Sequence, residues 1–176
     1  MGKRSDFERR PRDAYATPYE AVVPLLAHLR AGTKFDEPCC GDGDLVRHLI
    51  KHEMVIGTAS DIEPGMAWAR KRDALETSFC MGDCFITNPP WDRKILHPMI
   101  ERLSAIAPTW LLFDANWMFT RQAAPFLPYL HKVVTIGRVK WIPGSTMSGK
   151  DDSCWYLFDQ TTQRMTAGPV LFGRIQ

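Results

Sequence analysis

The chain has 176 residues, 45% hydrophobic and 24% charged, values that fit one globular domain with a real core and argue against a disordered chain. A net charge of +2 announces no polyanionic partner by itself, and no apolar run approaches the ~18 residues that span a membrane. The odd cysteine set, Cys39, Cys40, Cys80, Cys84 and Cys154, forms no paired framework; with no signal-peptide pattern at the start, it reads as the reduced thiols of a cytoplasmic protein.

Residues 1–13 hold Lys3, Arg4, Arg9, Arg10 and Arg12 and read as a mobile basic arm able to touch phosphates; residues 14–176 read as a single domain. "ATPYEAVVPLLAHLR" (16–30) predicts a helix with Thr17 as N-cap, Pro18 in first position, Glu20 closing a capping box, and Pro24 kinking or ending its first segment. A strand is expected at 33–38, then a glycine turn, a helix in "DLVRHLIKHEM" and a strand in "VIGTAS". "PGMAWARKRDAL" (64–75) predicts a helix with Pro64 in its first turn, followed by a weak strand near 77–79 and the strand "CFIT". "KILHPMIERLSAIA" predicts a helix broken at Pro98, and "TWLLFDA" a strand covered on both faces. "KVVTIGRVKWIP" and "SCWYLFDQ" predict an antiparallel hairpin around the long loop "GSTMSGKDD". The alternation implies a three-layer α/β architecture, a mostly parallel Rossmann-like sheet closed by an antiparallel C-terminal hairpin. In such sheets ligands bind beyond the carboxyl ends of the strands, where the unusual residues of this chain collect.

"FDEPCCGDGDL" (35–45) sets Gly41-Asp42-Gly43 between a strand and a helix, where missing Cβ atoms allow a sharp turn and a close ligand. Asp61, ending the next strand, can accept hydrogen bonds from both hydroxyls of a ribose. Asp83 in "CMGDC" can take an adenine amino group, and Ile62 can cover one adenine face. The GDG segment alone is equally well a plain turn; the ordered set is what points to a ligand. With neither a three-glycine dinucleotide fingerprint nor a phosphate-binding lysine, a ribose without phosphates fits better than NAD or ATP.

"NPPW" follows at Asn88–Trp91, where an apolar strand stops. Pro89 and Pro90 fix a rigid corner and donate no N–H. The Asn88 amide oxygen and the Pro89 carbonyl then stand as neighbouring acceptors beside the flat Trp91, on which a ring can stack for about 1–3 kcal/mol. Two acceptors holding both hydrogens of a conjugated –NH2 favour a pyramidal nitrogen, whose lone pair can displace a methyl group from a sulfonium in line. A Pro-Pro turn whose tryptophan covers the core is the plainer alternative.

Together, "EPCCGDG" and "NPPW" resemble the S-adenosylmethionine-dependent amino-methyltransferases, especially the DNA adenine-N6 enzymes with their (D/N/S)PP(Y/F/W) motif and, among them, small phage and bacterial members. The resemblance spans roughly residues 13–160. It implies S-adenosylmethionine as cofactor, no metal, and DNA ahead of RNA as partner, met in the host cytoplasm if a phage encodes the chain. It implies that Asn88, Pro89, Pro90 and Trp91 handle the target base. Glu37, Pro38, Gly41, Gly43, Asp61, Ile62, Asp83 and Cys84 would surround the cofactor. The "DAYATP" segment would lay Tyr15, Thr17 and Pro18 against its methionine part. Only 47 positions separate Gly41 from Asn88, so no target-recognition domain is inserted between the two motifs, unlike in the large restriction-system enzymes.

Other signals carry less. "GSTMSGKD" nearly matches a P-loop, but Asp151 stands where the magnesium-binding hydroxyl belongs and a strand follows. That loop, with Arg138, Lys140 and Lys150, either reaches towards a nucleic-acid backbone or is a flexible hairpin tip. His48 and His52 lack the glutamate of a zinc-protease helix, and Cys80 and Cys84 lack a second ligand pair. The rival activities are the same transfer to RNA adenine, cytosine-N4 or a protein glutamine, or a silent module that binds cofactor or nucleic acid.

Overall fold

The computed structural model describes residues 15–142, 144, 148–162 and 169–173; the basic arm of residues 1–13 lies outside the described residues. In chain order the elements are α1 (Tyr19–Leu26), β1 (Lys34–Glu37), α2 (Asp44–Lys51), β2 (Val55–Asp61) and β3 (Arg70–Lys71), then β4 (Cys84–Thr87), α3 (Arg93–Ser104) and β5 (Thr109–Asp114). They end with β6 (Leu130–Arg138), β7 (Asp152–Phe158) and β8 (Val170–Phe172). The strands form one sheet in the order β3-β2-β1-β4-β5-β7-β6-β8. β1 to β5 pair in parallel, and β7 runs antiparallel to both β5 and β6, as the hairpin prediction requires. β8, pairing in parallel with β6, was not legible in the sequence.

Alternation along β5 separates the two faces. Trp110 and Leu112 meet Ala21, Leu25, Leu45 and Leu49 of α1 and α2, whereas Leu111 and Phe113 meet Leu96 and Ile100 of α3. Leu111, Leu112 and Phe113 are fully buried, each contributing about 1.5–3 kcal/mol of hydrophobic stabilisation. These two packed faces make the three layers. The chain leaves β1 towards β2 and β3, then crosses back to β4 and β5, so the carboxyl ends of β1 and β4 flank the crevice where the strand order reverses.

Three local expectations are corrected. The first helix is shorter than 16–30; Pro18, in extended conformation, occupies the N-cap position with no side-chain cap, and Thr17 is buried for another purpose. Glu20 accepts the Lys140 backbone N–H at 2.9 Å instead of closing a capping box. Pro98 lies inside α3 without breaking it, while Pro24 stands two residues before the end of α1.

The largest correction concerns residues 64–75, which form no α-helix. Gly65 N–H donates to the Gly41 carbonyl at 3.0 Å, Arg70 and Lys71 pair with the end of β2, and Arg72 N–H reaches the Asp61 carbonyl at 2.8 Å. Tertiary partners take donors that a helix needs, overriding local propensity. The weak strand expected near 77–79 is absent from these described residues.

Candidate active site

At the end of β1, Glu37 is 1% exposed and neither carboxylate oxygen has a hydrogen bond of normal geometry. Burial pushes its pKa up to about 8, even though the Thr87 hydroxyl and Cys39 N–H lie close enough to oppose the rise. A buried carboxylate without a partner is costly, and a ligand that supplies donors relieves that cost. The chain then turns through Gly41 (φ +47°) and Gly43 (φ +83°) into α2. At Gly43 the positive φ favours glycine, and a Cβ there would displace the flexible Met66 side chain.

This loop is tied to the end of β2. Cys40 N–H donates to the Ser60 carbonyl and Gly41 N–H to Asp61 Oδ2, both at 2.9 Å. Asp61 Oδ1 accepts the Glu63 N–H at 2.8 Å. Each oxygen keeps lone-pair capacity for a ligand. After β3, Asp73 Oδ1 accepts the Leu75 N–H at 2.9 Å and caps a single 3-10 turn, Ala74–Glu76.

Across the crevice, Asn88 follows β4. Its Nδ2 donates to Thr17 Oγ1 at 3.2 Å and, weakly, to the Tyr15 carbonyl at 3.5 Å. Buried Thr17 is therefore an anchor for the amide. With the –NH2 engaged, Oδ1 is the acceptor that Asn88 has left to offer. Trp91 is half-buried, donating its Nε1–H to the Leu112 carbonyl at 3.1 Å. Its ring meets Trp141 edge-to-face at 5.8 Å, and Trp141 lies 6.4 Å from the Tyr15 ring.

These ends enclose a cavity of about 310 Å³, within the range of small-molecule sites, roughly 300–1,000 Å³. Of the residues expected from sequence, Tyr15, Thr17, Glu37, Pro38, Gly41, Asp61, Ile62, Asn88 and Pro90 line it. Pro18, Gly43, Pro89 and Trp91 are not on its wall: Gly43 starts α2 behind the loop, Pro89 is buried, and Trp91 packs on the α3 side. Arg138, Lys140 and Lys150 are exposed around the β6–β7 loop, away from the cavity wall.

Two expectations fail on geometry. Asp83 precedes β4, at the opposite rim of the sheet, where its Oδ2 accepts the Lys34 N–H at 2.8 Å and its own N–H returns to the Lys34 carbonyl at 2.7 Å. Cys84 is buried in β4 opposite Phe35. The carboxylate that does reach the cavity is Asp73, accompanied by Ala74 and Leu75. It was hidden by the helix expected over 64–75, although "KRDAL" directly after a strand is the same strand-end acid signal as Asp61. Trp141 was also missed, because only the folding of β6 brings it to Trp91.

The electrostatics of the cavity are one-sided. Glu37, Asp42, Asp44, Asp61, Glu63 and Asp73 line it, and no lysine, arginine or histidine among the described residues does. Such a site favours a cationic ligand and disfavours phosphates. Burial raises the thiol pKa of Cys39 well above its ordinary value and that of Cys40 to about 12, so neither is a thiolate at neutral pH. Among the described residues no group of three or more histidine, cysteine or acidic side chains is placed to hold a metal ion, and no helix is long and apolar enough to cross a membrane.

Comparison with solved structures finds the same fold. The chain is similar to a protein from Pyrococcus horikoshii described as a candidate RNA methyltransferase (TM-score 0.63, 14% identity, 90% of this chain and 92% of that one). It is also similar to the methyltransferase subunit of a type I restriction-modification system from Streptococcus thermophilus (TM-score 0.57, 10% identity, 85% of this chain and 45% of that one). A TehB-like SAM-dependent methyltransferase from Corynebacterium glutamicum matches as well (TM-score 0.51, 16% identity, 84% of this chain and 88% of that one). The chain spans less than half of the restriction subunit. No family model and no curated protein sequence matches it. At these identities the likeness is one of fold, the Rossmann-like methyltransferase sheet expected from the sequence.

Proposed function

We propose that this chain is an S-adenosylmethionine-dependent N-methyltransferase whose acceptor is the exocyclic N6 of adenine in DNA, presented as a flipped base. The observation that carries the reading is a cavity in which six acidic side chains, with no lysine, arginine or histidine among the described residues, face the Asn88 amide. A ligand with both an ammonium and a sulfonium, and no phosphate, suits that cavity. The buried Glu37 carboxyl, whose oxygens lack hydrogen bonds of normal geometry, suits the ammonium, which would favour its ionised form.

When bound, S-adenosylmethionine supplies an electrophilic methyl group. The chain supplies position and electrostatics. Glu37 accepts hydrogen bonds from the ammonium. Asp61 keeps its hold on Gly41 and Glu63 while accepting from the ribose, and Asp73 replaces Asp83 as acceptor for the adenine amino group. Ile62 and Leu75 offer apolar surface to the adenine faces. Thr17 and the Tyr15 carbonyl fix the Asn88 –NH2, so that Oδ1 and a backbone carbonyl of the Asn88–Pro90 corner receive the target amine. Trp91 and Trp141 give the extruded base an aromatic border that offsets part of the few kcal/mol that unstacking costs. Arg138, Lys140 and Lys150 face the nucleic-acid backbone.

The test is methyl-labelled cofactor incubated with separate pools of duplex DNA, RNA and protein, followed by digestion and mass analysis. Label in N6-methyladenine from DNA is the expected result. Label in RNA adenine, in cytosine-N4 or in glutamine would reassign the substrate, and no transfer despite cofactor binding would leave a silent module.

A further inference from the structure

Beyond the cavity, the most exposed of the large apolar side chains among the described residues is Phe119, at 80%. It ends a short 3-10 segment, Ala115–Phe119, that begins where β5 stops, on the strand next to the one that carries Asn88. The segment is fixed rather than loose. Trp117 is 2% exposed and donates its Nε1–H to His97 of α3 at 3.0 Å, Thr120 N–H returns to the Trp117 carbonyl at 3.0 Å, and Ala123 is fully buried. An apolar ring is thus held out in water between two buried anchors.

Its surroundings are cationic. Arg121 is exposed two positions on, and the neutral Gln122 accepts the Arg93 Nη1–H at 2.7 Å. Lys94 is exposed beside Arg93 in the first turn of α3, which has no acidic residue. The two carboxylates of this rim, Asp92 and Asp114, accept the backbone N–H groups of Lys94 and Asn116 at 3.0 and 2.9 Å. An exposed ring flanked by cations, beside the corner that would receive a base, has the chemistry of a duplex contact: charge for the phosphates and an apolar wedge for the stack.

We propose that Phe119, flanked by Arg93, Lys94 and Arg121, is a wedge that enters the stack of a DNA duplex next to the extruded base while the three cations hold its backbone. This deepens the reading above and rests on it. The ring fills part of the gap that extrusion leaves, so its value is greatest on fully paired DNA and smallest where the stack is already open.

The experiment titrates labelled DNA duplexes, one fully paired and one with a single mismatch, against the wild-type chain, Phe119→Ala, and the combined Arg93→Ala, Lys94→Ala, Arg121→Ala variant, with cofactor affinity measured in parallel. Phe119→Ala is expected to lose about tenfold in affinity for paired DNA and distinctly less for mismatched DNA. The cation variant is expected to flatten the dependence of log affinity on log salt by about 0.9 per charge removed. Cofactor affinity should stay unchanged in both, since none of these residues lines the cavity. Equal loss on the two duplexes, or no loss, overturns the wedge while leaving DNA methylation standing. A wild-type chain that binds no DNA, or that methylates RNA or protein instead, overturns both.

Discussion

On the β1–β2–β3 side of the crevice, strand ends are marked by carboxylates: Glu37 ends β1, Asp61 ends β2, and Asp73 follows β3. On the β4 side stands an amide on a proline corner, with the rings of Trp91, Trp141 and Tyr15 about it. The first side is suited to gripping a polar, cationic ligand through several independent acceptors. The second offers one oriented oxygen and flat apolar surface. Binding and chemistry are thereby assigned to different strands, and substitutions should separate them.

The largest expected effect is on the β4 side. Asn88→Ala should lower methyl transfer by at least about 10²–10³-fold, the usual cost of removing one preorganised polar group, while cofactor affinity is retained. Parallel turnover and titration measurements check this, and equal losses in both would merge the two sides. Next comes Asp61→Ala, which removes a charged acceptor from a ligand and should weaken cofactor binding by about 10–100-fold. It also strips Gly41 and Glu63 of their N–H partner, so thermal stability should fall too.

A paired comparison follows. Asp73→Ala should weaken cofactor binding by about tenfold, whereas Asp83→Ala should leave affinity alone and cost about 1–2 kcal/mol of stability, because the Lys34 N–H loses its acceptor. The reverse pattern would restore the sequence-based assignment. A further effect is a pH dependence. Glu37 holds its proton in the fold up to about pH 8, against an ordinary value of 4.5. The unfolded chain releases that proton first as pH rises, so this contribution is fully present below about pH 4.5 and is lost progressively up to about pH 8, with a slope of at most about 1.4 kcal/mol per pH unit. Glu37→Gln should remove that slope from denaturation curves. In the wild type, a cationic ligand should release a proton on binding near neutral pH, seen by calorimetry in buffers of different ionisation enthalpy.

The legible parts of the molecule were those in which local pattern and tertiary role agree. The apolar runs at Cys84–Thr87 and Thr109–Asp114 can only be buried strands, and the glycine turn and NPPW corner declare their backbone geometry by residue type. Residues 64–75 misled because their helix-forming side chains sit on a backbone whose donors are claimed by Gly41 and Asp61. That misreading moved the third carboxylate from Asp73 to Asp83, which proves to be a pin between β1 and the turn before β4. At Gly82 a Cβ would come within 2.6 Å of the Lys34 carbonyl, so the "GD" that looked like a ligand signal records a close backbone approach. The solitude of Glu37 and the meeting of Trp91 with Trp141 depend on distant segments, and no local pattern encodes them.

The most direct test of the central claim is a crystal structure of the protein with S-adenosylmethionine. The account requires its adenine edge at Asp73, its ammonium at Glu37 and its methyl group turned towards Asn88. A cofactor seated outside this cavity, or one whose methyl group faces away from the proline corner, would contradict it.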